Sequence, residues 1–175
     1  MILLMGLAGS GKGTQGKLLA EKLDYEYIST GEYLREYLSK KRKKQILAGK
    51  LVDDGEMIRI ISEFLGNAQK EAILDGFPRS ETQADWLLEK HKDNEIDIEA
   101  IIYLKVSKEE LIDRLLSRGR ADDNETAIKT RFEEYSRATS PIIEHYKKEG
   151  IQIIEVNGRG SVEIIHKNIL EQLGR

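Results

Sequence analysis

Near the amino terminus, Gly6-Leu7-Ala8-Gly9-Ser10-Gly11-Lys12 has the G-x-x-x-x-G-K spacing of a phosphate cradle. Glycines at those positions let successive backbone N–H groups turn inward around phosphate oxygens. A helix opening at the lysine adds its positive dipole end, and Lys12 places a point charge on the β- and γ-phosphates. The generic loop carries a magnesium-binding Ser or Thr directly after the lysine. Here Gly13 stands in that place and the hydroxyl comes one residue later, at Thr14. A second chemical signal is Glu71-Ala72-Ile73-Leu74-Asp75, a short apolar run ending in an acid. That is how a strand delivers a carboxylate to a phosphate-bound magnesium ion. Thr14 and Asp75 are therefore the candidate magnesium shell, acting through water or together with nucleotide phosphates.

Phosphoryl transfer asks little covalent chemistry of a protein. It asks for two substrates held in line and positive charge around the moving group. Arginines at several separated positions meet that need: Arg35, Arg79, Arg118, Arg120 and Arg131.

These groups must be positioned by regular elements. Apolar runs at 2–5, 25–28, 72–74, 100–106 and 151–156 read as strands buried on both faces, a pattern that suits a parallel sheet. Helical spacing lies between them, first over 14–23. Ser107-Lys108-Glu109-Glu110 reads as a capping box opening a helix through Leu111, Leu115 and Leu116. From Thr126 onward apolar residues recur at helical spacing, with Pro141 kinking or dividing the stretch. Ser161 caps a last helix whose Val162, Ile165, Ile169 and Leu173 are expected to face inward. Alternating strand and helix implies an α/β fold: a five-stranded parallel sheet flanked by helices, with right-handed crossovers. The stretch between Ile28 and Ala72 is too long for one crossover. Helical patterns at 32–39, 41–47 and 56–65 make it a small helical lobe inserted at the ligand-binding ends of the strands. The run Lys40-Lys41-Arg42-Lys43-Lys44 in this lobe is either a solvated helix face or a guide for anionic substrates.

Composition narrows the classes. The chain has 175 residues, 39% hydrophobic and 34% charged, with a net charge of −3. That predicts a single domain with no overall attraction to nucleic acid or anionic membrane. With no cysteine, disulfides, thiol catalysis and thiolate zinc sites are excluded, and His91, His145 and His166 lie too far apart to suggest a metal cage. The first apolar run stops at Gly6, short of a secretory or membrane segment, so a cytoplasmic location is expected.

Longer motifs carry a family resemblance. Gly11-Lys12-Gly13-Thr14-Gln15, Ile28-Ser29-Thr30-Gly31-Glu32-Tyr33-Leu34-Arg35, Gly49-Lys50-Leu51-Val52 and Leu74-Asp75-Gly76-Phe77-Pro78-Arg79 with Gln83 follow in order. Arg118-Gly119-Arg120-Ala121-Asp122-Asp123 with Arg131, and Val156-Asn157-Gly158-Arg159-Gly160-Ser161, complete the series. Together they resemble the adenylate kinase family of nucleoside monophosphate kinases over nearly the whole chain. The resemblance implies the three-layer P-loop NTPase fold, with residues 29–66 as the inserted monophosphate-binding lobe and 118–125 as the lid. It implies magnesium-dependent ATP + AMP ⇌ 2 ADP in a monomer whose partners are the small nucleotides ATP, AMP and ADP. Gly9, Ser10, Gly11, Lys12, Gly13 and Thr14 would hold ATP phosphates, with Arg118 on the ATP side and Gly160 near the ATP adenine. Thr30, Arg35, Lys50, Leu51, Val52, Gly76, Phe77, Pro78, Arg79 and Gln83 would line the AMP site. Arg120 and Arg131 would clamp the phosphates between the nucleotides. Lys12, Arg79, Arg118, Arg120 and Arg131 would carry catalysis.

Some readings stay open at this level. Gln83 either reads adenine or completes a capping box with Ser80. Asp122 and Asp123 are either plain loop acids or orienters of the lid arginines. Only Gly119 separates Arg118 from Arg120, which leaves no room for an inserted β-lobe and no zinc-bearing lid. A UMP/CMP kinase would share the loop and arginines. A GTP-dependent switch would need an N-K-x-D motif, which is lacking, and a nucleotide sensor would have no use for five arginines around Lys12.

Overall fold

The computed structural model describes residues 1–37, 52–66 and 71–175. The helix expected over 41–47, the basic run 40–44, and Lys50 and Leu51 of the expected AMP site lie outside the described residues. Five parallel strands form one sheet in the order β2-β3-β1-β4-β5. They are β1 (Ile2–Met5), β2 (Glu26–Ser29), β3 (Ala72–Asp75), β4 (Ala100–Lys105) and β5 (Ile153–Asn157). The apolar runs are continuous because both faces are buried. Leu3, Met5, Leu74 and Ile101 point to one side. Ile2, Leu4, Ile73 and Ile102 point to the other.

On the first side lie α3 (Asp54–Leu65), α4 (Glu81–Lys92) and α7 (Ser140–Lys148), which contribute Ile61, Leu87 and Tyr146 to the core. On the second side lie α1 (Lys12–Leu23) and α8 (Val162–Leu173), through Leu19, Ile165 and Ile169. A third cluster joins α5 (Lys108–Arg118) to α6 (Glu125–Glu134) through Leu111, Leu115, Ile128 and Phe132, packed against Leu7 and Ala8 of the phosphate loop. The α3 part of the inserted segment shares the main core through Met57, Ile60 and Leu65, and α2 (Thr30–Tyr37) adds Leu34. Among the described residues no helix is long and apolar enough to cross a membrane.

Several local expectations are corrected. Strand β5 begins at Ile153, because Ile151 N–H still closes the end of α7 on Tyr146 O at 3.1 Å. Ser107 precedes α5 without a side-chain cap bond. Its partner Glu110 is drawn instead to Arg114, at 2.6 Å, and to Arg159, at 2.8 Å. Ser161 does cap α8 by accepting from Ile164 N–H, but Val162 is 40% exposed rather than inward. The helical stretch after Thr126 is divided by a π-turn, Tyr135–Thr139, and Pro141 sits in the first turn of α7, where no N–H is required.

Candidate active site

The loop after β1 closes on α1 through Gly11, whose backbone is left-handed at φ 99° and which has no side chain to cap the helix. The first-turn N–H groups are thus left for an anion. Lys12 Nζ folds back onto the loop, donating to Gly6 O at 2.7 Å and Leu7 O at 2.9 Å. Burial lowers its pKa to about 8; Asp75 opposes the shift, while Arg79, Arg118 and Arg131 add to it. A cation so placed gains from an arriving phosphate.

Asp75 ends β3 beside β1, since Leu4 pairs with Asp75 in the register of those strands. Tyr27 Oη donates to Asp75 Oδ2 at 2.9 Å. Burial, and then the Asp75 charge, push the Tyr27 phenol well above its ordinary range, so it remains a donor.

After β3 the chain turns at Gly76, φ 86°. A Cβ there would lie 2.5 Å from Thr30 Oγ1 and 2.8 Å from an Arg79 nitrogen, so only glycine fits. Gly76 O accepts from both Thr30 Oγ1, at 2.9 Å, and Arg79 Nε, at 2.7 Å. Thr139, brought round by the π-turn, donates to Arg79 O at 2.9 Å. Burial lowers the pKa of Arg79; Asp75 opposes this, and Arg131 and Arg35 reinforce it. Gln83 is held at both ends. Its Oε1 accepts from Arg79 N–H and its Nε2 donates to Asp54 Oδ1, each at 2.8 Å. Ser80 also accepts from Gln83 N–H. Gln83 therefore makes the capping contact, and its buried amide still faces the cleft.

Residues 119–124 are the whole connection from α5 to α6. The Asp123 side chain is fully buried and takes Arg118 in a fork, at 2.8 and 2.7 Å. It also accepts from Arg131, at 3.2 Å, and from Arg120 N–H, at 3.1 Å. Burial alone would raise the Asp123 carboxyl; the Arg118 hydrogen bonds lead the effects that bring it below its ordinary value. Asp122 makes a second bond to Arg131. The two acids are thus orienters of the lid arginines, not solvated loop acids. The Arg120 guanidinium makes no ion pair among the described residues and approaches Arg35 closely enough to lower its pKa, after the larger effect of burial.

These groups share one cleft of about 470 Å³. From the phosphate loop, Gly9, Gly11, Lys12, Gly13 and Thr14 line it. Ser10 is outside the lining, its buried Oγ without a hydrogen-bond partner among the described residues. From the expected AMP site, Thr30, Arg35, Val52, Gly76, Pro78, Arg79 and Gln83 line it, and so do Asp75, Arg118, Arg120 and Arg131. Besides Ser10, two expected residues are not brought in. Phe77 is 1% exposed, its ring edge-on to Trp86 in the core. Gly160 sits exposed in the turn between β5 and α8, outside the lining.

Sequence reasoning missed Tyr27, Asp54, Thr139 and Arg114. Arg114 also lines the cleft and donates to Gly158 O at 2.9 Å. Its position four residues before Arg118, on the same helix face, was a readable signal. The other three act through contacts 26 to 60 residues apart in the chain.

The Thr14 hydroxyl and the Asp75 carboxylate, both lining the cleft, are oxygen donors suited to a hard cation and fit magnesium carried largely by nucleotide phosphates. Among the described residues no three His, Cys, Asp or Glu side chains are grouped as a metal cage.

A family model for adenylate kinase matches residues 4–151. Curated relatives named adenylate kinase align nearly end to end. That of Corynebacterium diphtheriae is 39% identical over 99% of both chains. Those of Corynebacterium aurimucosum and Leptospira biflexa are 38% and 40% identical over 98% of both. Together with a phosphate loop, a strand-end carboxylate and an arginine-lined cleft, the family-model match and the full-length relatives place the chain in the adenylate kinase family.

Proposed function

We propose that the cleft transfers the γ-phosphoryl group of magnesium-bound ATP to AMP, giving two ADP. The observation that carries this reading is the convergence of Arg79, Arg118, Arg120 and Arg131 with Lys12 on one cleft, which the phosphate loop, Thr30 and Gln83 also line. In this reading the loop N–H groups and Lys12 grip the ATP phosphates, and Arg35 and Arg79 grip the AMP phosphate. Arg120 and Arg131 bridge the transferring group. The attacking oxygen is already anionic, so no general base is needed. Magnesium, held through Thr14 and Asp75, would neutralise charge on the ATP phosphates. Arg35 and Arg120 both line the cleft and repel one another. A phosphate between them turns that repulsion into attraction, which would draw the 119–124 loop inward and exclude water. We further infer a cytoplasmic monomer acting on ATP, AMP and ADP without nucleic-acid or membrane partners.

The test is coupled ADP production with each substrate and magnesium omitted in turn. Turnover should need all three. Removing zinc with a zinc-selective chelator should leave both rate and melting temperature unchanged, and a fall in either would reveal a missed structural metal.

Arg120→Ala and Arg131→Ala should each lower kcat by about 10²-fold with smaller effects on KM, because their charge is used most in the transition state. Their stabilities should differ. Arg131→Ala strips a partner from two buried acids and should lower the melting temperature. Arg120→Ala, with no ion pair to lose among the described residues, should not. A change in KM alone would move both arginines to ground-state binding.

A further inference from the structure

We propose that Tyr27 is a positioning residue for the magnesium shell: its phenol holds the Asp75 carboxylate by Oδ2, leaving Oδ1 for the water of the cation. The proposal rests on the reading of Thr14 and Asp75 as that shell. In the β2–β3 register Ser29 lies opposite Asp75 and Tyr27 opposite Ile73, so Tyr27 is the diagonal neighbour of Asp75 on one face, within reach of an aromatic side chain. The hydrogen bond measures 2.9 Å, and Asp75 Oδ1 has no donor among the described residues.

The phosphate-loop helix is shaped to receive this ring. A Cβ on Gly16 would lie 2.6 Å from Tyr27 Cε2 and 2.7 Å from Leu4 Cδ1, so any side chain there would displace the tyrosine. A Cβ on Gly13 would lie 3.4 Å from Tyr27 Oη and 3.7 Å from Asp75 Oδ2. Gly13 is the position where the generic phosphate loop carries its metal-binding hydroxyl. Here the phenol oxygen comes close to that position, and it acts on the carboxylate rather than on the metal. Fixing one oxygen of a carboxylate removes a rotation that the cation would otherwise have to arrest.

The variant is Tyr27→Phe, which keeps the ring and its packing. Manganese serves as the spin probe for magnesium, bound to the complex of enzyme with β,γ-imido ATP. Binding of that analogue in EDTA reports the phosphate loop without metal. Manganese affinity of the complex should fall roughly tenfold, while metal-free analogue affinity stays within about twofold of wild type. In an Asp75→Asn background the added Tyr27→Phe change should have no further effect on manganese affinity, since a residue that acts through another has nothing left to act on. Unchanged manganese affinity in Tyr27→Phe, an equal loss of metal-free binding, or full additivity in the double variant overturns the proposal. If Asp75→Asn by itself leaves manganese affinity intact, the shell reading fails first; if Asp75→Asn weakens it and Tyr27→Phe does not, the positioning role alone is wrong.

Discussion

Lys12→Met is expected to lower kcat by about 10³-fold or more while the melting temperature at pH 7 holds or rises. The first half follows from placing a preorganised cation where phosphate charge develops, a contact whose loss costs about 3–4 kcal/mol or more. The second half follows from where the charge sits without ligand. Lys12 Nζ is held on two loop carbonyls, and burial brings its pKa down to about 8 from 10.5. The unfolded chain holds that proton more tightly than the folded one. The resulting penalty on folding is fully present below about pH 8 and fades as the pH rises toward 10.5. Methionine keeps the stem's volume and removes the penalty. A phosphate ligand pulls the pKa back up. Wild-type protein at pH 9 should therefore take up close to one proton on binding ATP, read by calorimetry in buffers of different ionisation heat. The methionine variant should take up none at that step. A folded variant with near-normal turnover would remove the basis for phosphoryl transfer here. A collapse in stability would make Lys12 a structural residue.

What could be read from the sequence was what is local in it. The phosphate loop, the apolar strands and Asp75 at a strand end are each contained in a few consecutive residues. Each follows from backbone geometry or from burial on both faces of the sheet. The arginines were legible as types and spacings, and Asp122 and Asp123 as their neighbours. That the acids are buried and fork to Arg118 and Arg131 depends on α5 and α6 packing through Leu115 and Ile128. Ser107 and Glu110 matched the capping pattern, yet Glu110 had a stronger use between Arg114 and Arg159, which come together only when β5 lies beside β4. Tyr27 on Asp75, Asp54 on Gln83 and Thr139 on Arg79 are legible only once the topology is known. They do not bear on the identity of the chemistry but on how tightly its parts are aimed.

The largest expected effect on specificity is in the base. AMP should exceed UMP and GMP in kcat/KM by on the order of 10³-fold, and CMP by a smaller factor of about 10². Thr30 cannot supply this discrimination by donating, because its one hydroxyl hydrogen is already taken by the carbonyls of Asp75 and Gly76. Gln83 can. Arg79 N–H on Oε1 and Asp54 on Nε2 fix which end of the amide is which. Each end keeps one site free: a lone pair on the oxygen and a hydrogen on the nitrogen. Those two sites complement the N6 amino group and N1 of adenine side by side. Uracil and guanine present the opposite pattern and leave a buried donor or acceptor unpaired, whereas cytosine carries the same pair on N4 and N3 and is set apart by the shorter reach of its single ring. Gln83→Ala should raise KM for AMP at least about tenfold and erode the preference, with KM for ATP nearly unchanged. Asp54→Ala leaves the reading groups in place but frees the amide to turn, so its effect on AMP should be smaller and in the same direction. Equal use of CMP or UMP by the wild-type enzyme would make it a pyrimidine monophosphate kinase on the same scaffold. Wild-type behaviour of Gln83→Ala, with AMP still preferred, would reduce Gln83 to the cap of α4 and move base reading to backbone groups on the wall that Val52 begins.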